Sequence, residues 1–312
     1  MAKRILITGA SGLLGRECLA VFSCDSEWET LGLAFSRAGG NLKKADLTDP
    51  GQVEAVVQEF QPTVILHSAA ERRPDVVEKQ EGETKKINVD ATQRLCDLAI
   101  LLNRFILTIY ILTVGAVGAY VLFISTDYVF DGTKPPYKPS DLPCPLNKYG
   151  LSKAAGEKVV LASPGNLVLR VPVLYGPVET LDESAVTVLF SKVKDVSKPA
   201  EMNHNEKRYP TLCSDLAEAI KILVNSRVKN SDLTGIFHWS GDEMMTKYDM
   251  ALTMAQLFGI STQHIIADTK PATGAPRPYD CHLDCSRMED LGATKRTPFK
   301  VGIKQVLDSF YP

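Results

Sequence analysis

The chain predicts an α/β fold, a doubly wound parallel sheet with a smaller C-terminal lobe, on three observations. Short apolar runs alternate with amphipathic helical stretches through residues 1–174, the pattern of strands that run parallel with helices on both faces. A glycine-rich turn joins the first apolar run to the first helix. Beyond about residue 175 the alternation loosens into helices and short strands punctuated by Pro177, Pro199, Pro210, Pro271, Pro276 and Pro278, as expected of a separate lobe. The domains expected are therefore 1–174 and 175–312, with some segments of the second returning to the sheet.

Arg4–Thr8 is a short buried strand, followed by a helix whose apolar positions Leu13, Leu14, Cys18, Leu19 and Phe22 recur at helical spacing. Thr30–Phe35 reads as the next strand. Asp49 then opens a helix over Pro50–Phe60, a capping carboxylate before a proline at the first helical position. Thr63–His67 is a strand, Glu83–Leu102 a helix, Tyr120–Ser125 a strand, Tyr149–Leu161 a helix and Leu167–Val171 a strand. The Lys/Glu/Asp-rich stretch Ser191–Arg208 reads as a solvated surface loop.

Composition narrows the function classes. At 312 residues, with 45% hydrophobic and 23% charged residues, the chain can bury a sizeable core, and a net charge of −2 makes no electrostatic case for nucleic acid. The seven cysteines are scattered, which favours free thiols. Cys281, His282 and Cys285 are close, but no second pair has zinc-ligand spacing, so no metal is expected. His67, His204, His238, His264 and His282 show neither triad-like nor metal-like spacing and read as structural histidines. Met1-Ala2-Lys3-Arg4-Ile5 runs straight into a strand without a signal-peptide pattern, so the cytoplasm is the expected location. Phe105–Ile124 holds twenty residues without a charge, long enough to cross a bilayer. Its end is nevertheless the apolar run of a central strand that leads into Thr126-Asp127, so we expect a helix and a buried strand joined by extra hydrophobic sequence.

Three motifs carry chemistry. In Thr8-Gly-Ala-Ser-Gly-Leu-Leu-Gly15, Gly9, Gly12 and Gly15 tighten the turn, admit a pyrophosphate to the backbone and let helix pack on strand, so this is a Rossmann-type dinucleotide site. An acidic residue after the second strand would favour NAD. Phe35-Ser36-Arg37 stands there instead, and a guanidinium with a hydroxyl suits the 2′-phosphate of NADP, the plain alternative being a surface arginine. Tyr149 and Lys153 lie four residues apart on one helix face, so the ammonium can hold the phenol's acidity near neutral pH and make it a proton donor. Ser125 and Thr126 face opposite sides of their strand, and only one can enter the site. Tyr128 and Tyr137, with no lysine four residues on, read as packing residues.

TGASGLLG (8–15), STDYVFDG (125–132) and YGLSK (149–153) together resemble the extended short-chain dehydrogenase/reductase family, in its dTDP-4-dehydrorhamnose reductase branch. The runs HSAAERRPDVVE (67–78), INVDA (87–91), LYGPVETLDESAVTV (174–188), FHWSGDEMMTKYDMA (237–251) and LDCSRMEDLG (283–292) resemble the regulatory β-subunit group of methionine adenosyltransferases within that branch. The resemblance implies NADP binding and association with the catalytic subunit of methionine adenosyltransferase, modulating S-adenosylmethionine synthesis without performing it. It also implies a cofactor site. Ser11, Gly12, Leu13 and Leu14 would form the phosphate turn, Phe35, Ser36 and Arg37 the 2′-phosphate contacts, and Asp46 and Leu47 the adenine side. Ser68 and Arg72 would follow the third long strand, Tyr149 and Lys153 would bond the nicotinamide ribose, and Leu174 would line the nicotinamide pocket. In the reductase branch Thr126, Tyr149 and Lys153 would be the catalytic trio, and Arg277 a ligand for a sugar nucleotide's phosphates. The resemblance would lead one to expect arginine and asparagine where Ser36 and Asp46 stand, and about fifteen residues near Ile100–Val114 are additional to its pattern.

Overall fold

The computed structural model describes residues 3–109 and 118–311, so part of the additional segment expected near 100–114 lies outside the described residues. In chain order the first half contains β1 (Lys3–Thr8), α1 (Leu13–Ser23), β2 (Trp28–Ala34), β3 (Leu42–Lys44), α2 (Pro50–Phe60) and β4 (Val64–His67). There follow α3 (Pro74–Val77), α4 (Glu81–Lys85), α5 (Ala91–Ile109), β5 (Tyr120–Thr126), α6 (Lys148–Leu161) and β6 (Leu167–Val171). The remainder holds β7 (Leu174–Tyr175), α7 (Val188–Lys194), β8 (Ala200–Asn203), β9 (Thr211–Leu212), α8 (Cys213–Lys229) and β10 (Gly235–His238). Last come α9 (Lys247–Leu257), β11 (Ile265–Asp268), α10 (Ser286–Glu289) and α11 (Phe299–Leu307). Among the described residues no helix is long and apolar enough to cross a membrane.

Seven parallel strands form one sheet in the order β10-β6-β5-β4-β1-β2-β3. The chain winds outward from β1 through β2 to β3, then returns to the other side of β1 for β4, which places a switch point at the carboxyl ends of β1 and β4. The period-two rule divides each central strand between two cores. Ile5, Ile7, Val64, Leu66, Leu122 and Leu169 face the layer that contains α1 and α8. Leu6, Ile65, Val121, Phe123 and Val168 face the layer of α2 and α5. Both faces are thereby covered, which is why these strands read as continuous apolar runs.

Residues after 175 contribute to both parts of the molecule. β10 pairs with β6 at the sheet edge, and α8 packs against α1. A separate core unites Phe190, Met202, Met254, Ile265, Phe299 and Ile303 from the small two-stranded sheet β11-β8 and its helices.

The structure corrects the reading of Ser191–Arg208 as a solvated loop. The stretch contains the end of α7 and the whole of β8, in which Ala200 and Met202 are buried while Glu201 is exposed, and both Glu206 and Arg208 are buried. Its charges either face solvent or, at Glu206 and Arg208, are hydrogen-bonded to backbone groups inside, a distinction that composition does not reveal. The expected helix Glu83–Leu102 is interrupted by a π-helical turn, Lys86–Asp90. That turn directs Asn88 inward, where its side chain accepts from the Glu71 amide at 3.0 Å and donates to Ser152 of α6 at 3.0 Å.

The helix carrying Tyr149 and Lys153 is fixed from both ends. Asn147 caps α6 by accepting from the Gly150 amide at 2.8 Å and donates its own amide to the Pro276 carbonyl at 2.7 Å. Deeper along α6, Glu157 receives a bidentate ion pair from Arg170 of β6, at 2.9 and 2.7 Å, and a hydrogen bond from Ser125 of β5 at 2.5 Å. Arg170 also lies 3.3 Å from His238 of β10, so four elements meet at one buried polar cluster. Removing one member of such a pair leaves the other charge unpaired, which costs about 3–5 kcal/mol. Arg170→Met should therefore lower unfolding free energy in urea by about that amount, and the double variant Glu157→Gln/Arg170→Met should recover at least half of it. A loss below about 1 kcal/mol for the single variant would show that the cluster does not hold α6.

Candidate functional site

A cleft of about 620 Å³ opens at the switch point and is lined from four directions. The β1–α1 turn supplies Gly9, Ser11, Gly12, Leu13, Leu14 and Gly15; the ends of β2 and β3 supply Phe35, Ser36, Arg37, Asp46 and Leu47. The loop after β4 supplies Ser68 and Arg72, while β5, α6 and β7 contribute Thr126, Tyr149, Lys153 and Leu174. The fold thus brings these sequence-predicted residues to one cavity. Arg277 is not among the lining residues: it forms an ion pair with Asp75 at 2.7 Å and donates to the Ala275 carbonyl at 3.0 Å.

The turn has the shape a pyrophosphate needs. Gly9 has φ +67°, and a Cβ there would lie 2.9 Å from the Ala69 backbone; at Gly15 a Cβ would lie 2.1 Å from the Gly9 carbonyl. Side chains are excluded at both positions. The amino end of α1 begins at Gly12 with no side chain capping it, so its amides remain open towards the cleft. These features fit a dinucleotide.

Around this turn the charges are already engaged. Arg37 donates to the Ser11 carbonyl at 2.9 Å and pairs with Glu183 at 2.6 Å, while Arg16 of α1 pairs with the same carboxylate. Arg72 donates to the Glu183 carbonyl. Asp46 accepts from the Thr48 amide and hydroxyl at 2.8 and 2.7 Å, which orders the turn that precedes α2. Ser68 donates to the Thr8 carbonyl at 2.6 Å and locks the tips of β1 and β4 together.

At the other end of the cleft Tyr149 stands edge-on to Tyr128, with ring centroids 5.9 Å apart, and lines the cleft together with Thr126, whose hydroxyl donates to Asp127 at 3.1 Å. Both Ser125 and Thr126 line the cleft, but the Ser125 hydroxyl is committed to Glu157. The expectation that Lys153 would hold the phenol near neutral acidity is not met. Burial pushes the Tyr149 phenol well above its usual range, reinforced by Asp127 and Tyr128 and opposed by the Thr126 hydroxyl and Arg72. Lys153 is itself buried, 3.9 Å over the Phe123 ring, and desolvation brings its pKa down to about 7 despite the opposing effect of Glu157. A lysine whose own charge is disfavoured by desolvation cannot acidify its neighbour strongly. Asp127, fully buried beside Thr126, is pushed up to about 6 by desolvation, against the influence of Arg208.

Tyr128 and Asp127 line the cleft, so Tyr128 is not only a packing residue, while Arg16 and Glu183 bear on the site through Arg37, and Arg208 through Tyr128, without lining it. Asp127 and Tyr128 adjoin Thr126 in sequence and could have been suspected on that ground. Arg208 and Glu183 come from distant segments and carry no local signal. The histidines are engaged structurally: His67 lies between Thr8 at 2.7 Å and Thr92 at 3.0 Å, and His238 lies against Arg170. Cys281 and Cys285 are buried in an apolar cluster, Cys281 directed at the Phe130 carbonyl, while His282 stacks on Tyr209.

The Lys153 environment has a measurable consequence. Its folded pKa is about 7 against an ordinary value of 10.5, so the unfolded chain binds the extra proton and this contribution to stability rises with pH across that window. From pH 7 to pH 9 the wild type should gain about 2 kcal/mol relative to Lys153→Met. Comparing the two chains cancels the buried thiols, which titrate alike in both. A pH-independent difference in urea unfolding would show that the ammonium is not desolvated in solution.

Comparison with known proteins agrees with this geometry. The family model described as the RmlD substrate binding domain matches residues 3–311. A protein from Mus musculus named methionine adenosyltransferase 2 subunit beta is 46% identical over 312 residues, covering 99% of this chain and 88% of its own. A crystal structure from Sulfolobus tokodaii, named a hypothetical dTDP-4-dehydrorhamnose reductase, is 29% identical with a TM-score of 0.80 and covers 96% of this chain and 98% of its own. The dTDP-4-dehydrorhamnose reductase of Bacillus anthracis, solved in complex with NADP, shares the fold with a TM-score of 0.79 at 23% identity, covering 99% of each chain. The chain belongs to the RmlD substrate binding domain family and, within it, groups with the proteins named methionine adenosyltransferase 2 subunit beta.

Proposed function

We propose that the chain is an NADP-binding regulatory subunit that associates in the cytoplasm with the catalytic subunit of methionine adenosyltransferase and modulates S-adenosylmethionine synthesis. The observation that carries this reading is the likeness to the β subunits, 45–46% identity along 99% of the chain for four of them, which extends far beyond the cleft. The glycine turn and the α1 amides would hold the pyrophosphate, Ser36 and Arg37 the 2′-phosphate, Asp46 and Leu47 the adenine side, and Tyr149 and Lys153 the nicotinamide ribose. A bound nicotinamide would supply hydride-transfer chemistry. The residues of this chain bind and orient it. The Tyr149 phenol, kept protonated by burial, serves as a hydrogen-bond donor, and Lys153 supplies a second donor to the ribose hydroxyls.

Purified together with the catalytic subunit, the chain should co-elute and change that subunit's affinity for methionine. Independent elution with unaltered kinetics would overturn the proposal.

A second reading, an NADPH-dependent reductase of a 4-keto sugar nucleotide, is favoured by Thr126, Tyr149 and Lys153 lining one cleft and by a group of cations beside it. Arg208 lies 5.5 Å over the Tyr128 ring, and Lys247 has its pKa lowered by burial and by nearby Arg277 and Arg208. A diphosphate would suit such a cluster. Under this reading dTDP-4-keto-6-deoxyhexose consumes NADPH, and Tyr149→Phe reduces the rate at least about a hundredfold. Equal slow consumption by both proteins would exclude it.

A further inference from the structure

Three arginines from separate segments of the nucleotide-binding half converge on one residue of the segment between β7 and α7. Arg16 from α1 and Arg37 from the loop after β2 take different oxygens of the Glu183 carboxylate, and Arg72 from the loop after β4 takes the Glu183 carbonyl. The Glu183 side chain is only 12% exposed. Its position is preset by a pinned turn: Ser184 donates to the Leu174 carbonyl at 2.8 Å and Thr187 to the Leu181 carbonyl at 2.7 Å, both residues being fully buried. Leu174 and Ala185, which flank this turn, line the cleft themselves.

We propose that Glu183 is a specificity-determining residue, an internal counter-charge that competes with the 2′-phosphate of the dinucleotide for Arg37. This rests on the assignment of the cleft to NADP. Arg16 is also held by the Ser11 and Gly12 carbonyls of its own turn and can keep the carboxylate. Arg37 also donates to the Ser11 carbonyl, at 2.9 Å, but its side chain is 43% exposed against 22% for Arg16, so it is the partner able to exchange. A phosphate monoester carries more charge than a carboxylate at neutral pH and offers three acceptor oxygens, so it wins the exchange, but at reduced affinity. A ligand with a free ribose hydroxyl has nothing to offer Arg37 and leaves the pair intact.

The test is equilibrium titration of the full chain with NADPH, NADH, 2′,5′-ADP and 5′-AMP, which reads binding without turnover. Glu183→Gln should tighten NADPH and 2′,5′-ADP about three- to fivefold, the range set by one partly exposed ion pair. NADH and 5′-AMP should change less than about 1.5-fold, so the preference for the 2′-phosphate rises. Glu179→Gln should have the smaller effect, because Glu179 is 68% exposed and 3.7 Å from Arg37. If Glu183→Gln does not fold, Glu183→Asp, which keeps the charge but shortens its reach, tests the same sign. Tightening of all four ligands alike, or weakening of NADPH, overturns the proposal while leaving the cofactor assignment standing. Failure of wild type and variant to bind any of the four overturns both.

Discussion

The buried pair between Glu157 and Arg170 is the interaction on which the site's geometry depends. Helix α6 would be free to slide along the sheet if it were held by apolar contacts alone, because side-chain packing is weakly directional. A bidentate guanidinium–carboxylate pair fixes both distance and orientation. Here it also takes the Ser125 hydroxyl, so of two adjacent hydroxyl residues on β5 one is spent on structure and the other, Thr126, is left for the cleft. The same pairing explains the state of Lys153. Glu157 lies one turn further along the helix, but its two oxygens are engaged by Arg170, so Lys153 is buried over an aromatic ring with only partial compensation and its charge becomes costly.

What was legible in the sequence follows from the range of the interactions involved. Periodicity and turn chemistry are local, and they located β1, α1, α2, β4, β5, α6 and β6 to within a few residues. The glycine turn was equally legible, because the need for φ above zero at Gly9 and for close approach at Gly15 is written in residue type. The π-helical turn at Lys86–Asp90 was not, since its cause is a tertiary demand: Asn88 must reach Glu71 and Ser152 together. Ser191–Arg208 misled for a related reason. Charge density says that a segment meets water somewhere, but Ala200 and Met202 show a two-residue inward pattern too short to stand out among lysines and glutamates.

The candidate site divides along the same line. Residue types that a dinucleotide requires at fixed offsets from a strand were found from the sequence, and they do line one cleft. The ionisation behaviour was not accessible that way. Helical spacing put Tyr149 and Lys153 on one face of α6, and both line the cleft, yet their ionisation depends on burial, which no spacing rule contains. Desolvation penalises the charged form of each group, raising the phenol and lowering the ammonium. Both groups are therefore driven towards neutrality in the folded chain.

This bears on how one pocket can serve two ends. A cleft that held its cations bare would pay a repulsive cost in the free protein, whereas here Arg16 and Arg37 share Glu183 and Lys153 sheds much of its charge. The folded chain thus balances its own charges before any anion arrives. An anion that enters beside Arg37 must exchange with a carboxylate, so its net affinity there is the difference between two sets of similar interactions. Such a site discriminates well between anions, because small differences in their charge and reach decide the balance. The same contacts link the turn that carries Glu183 to the loops that carry Arg37 and Arg72, so the charge balance beside the glycine turn bears directly on the segment between β7 and α7.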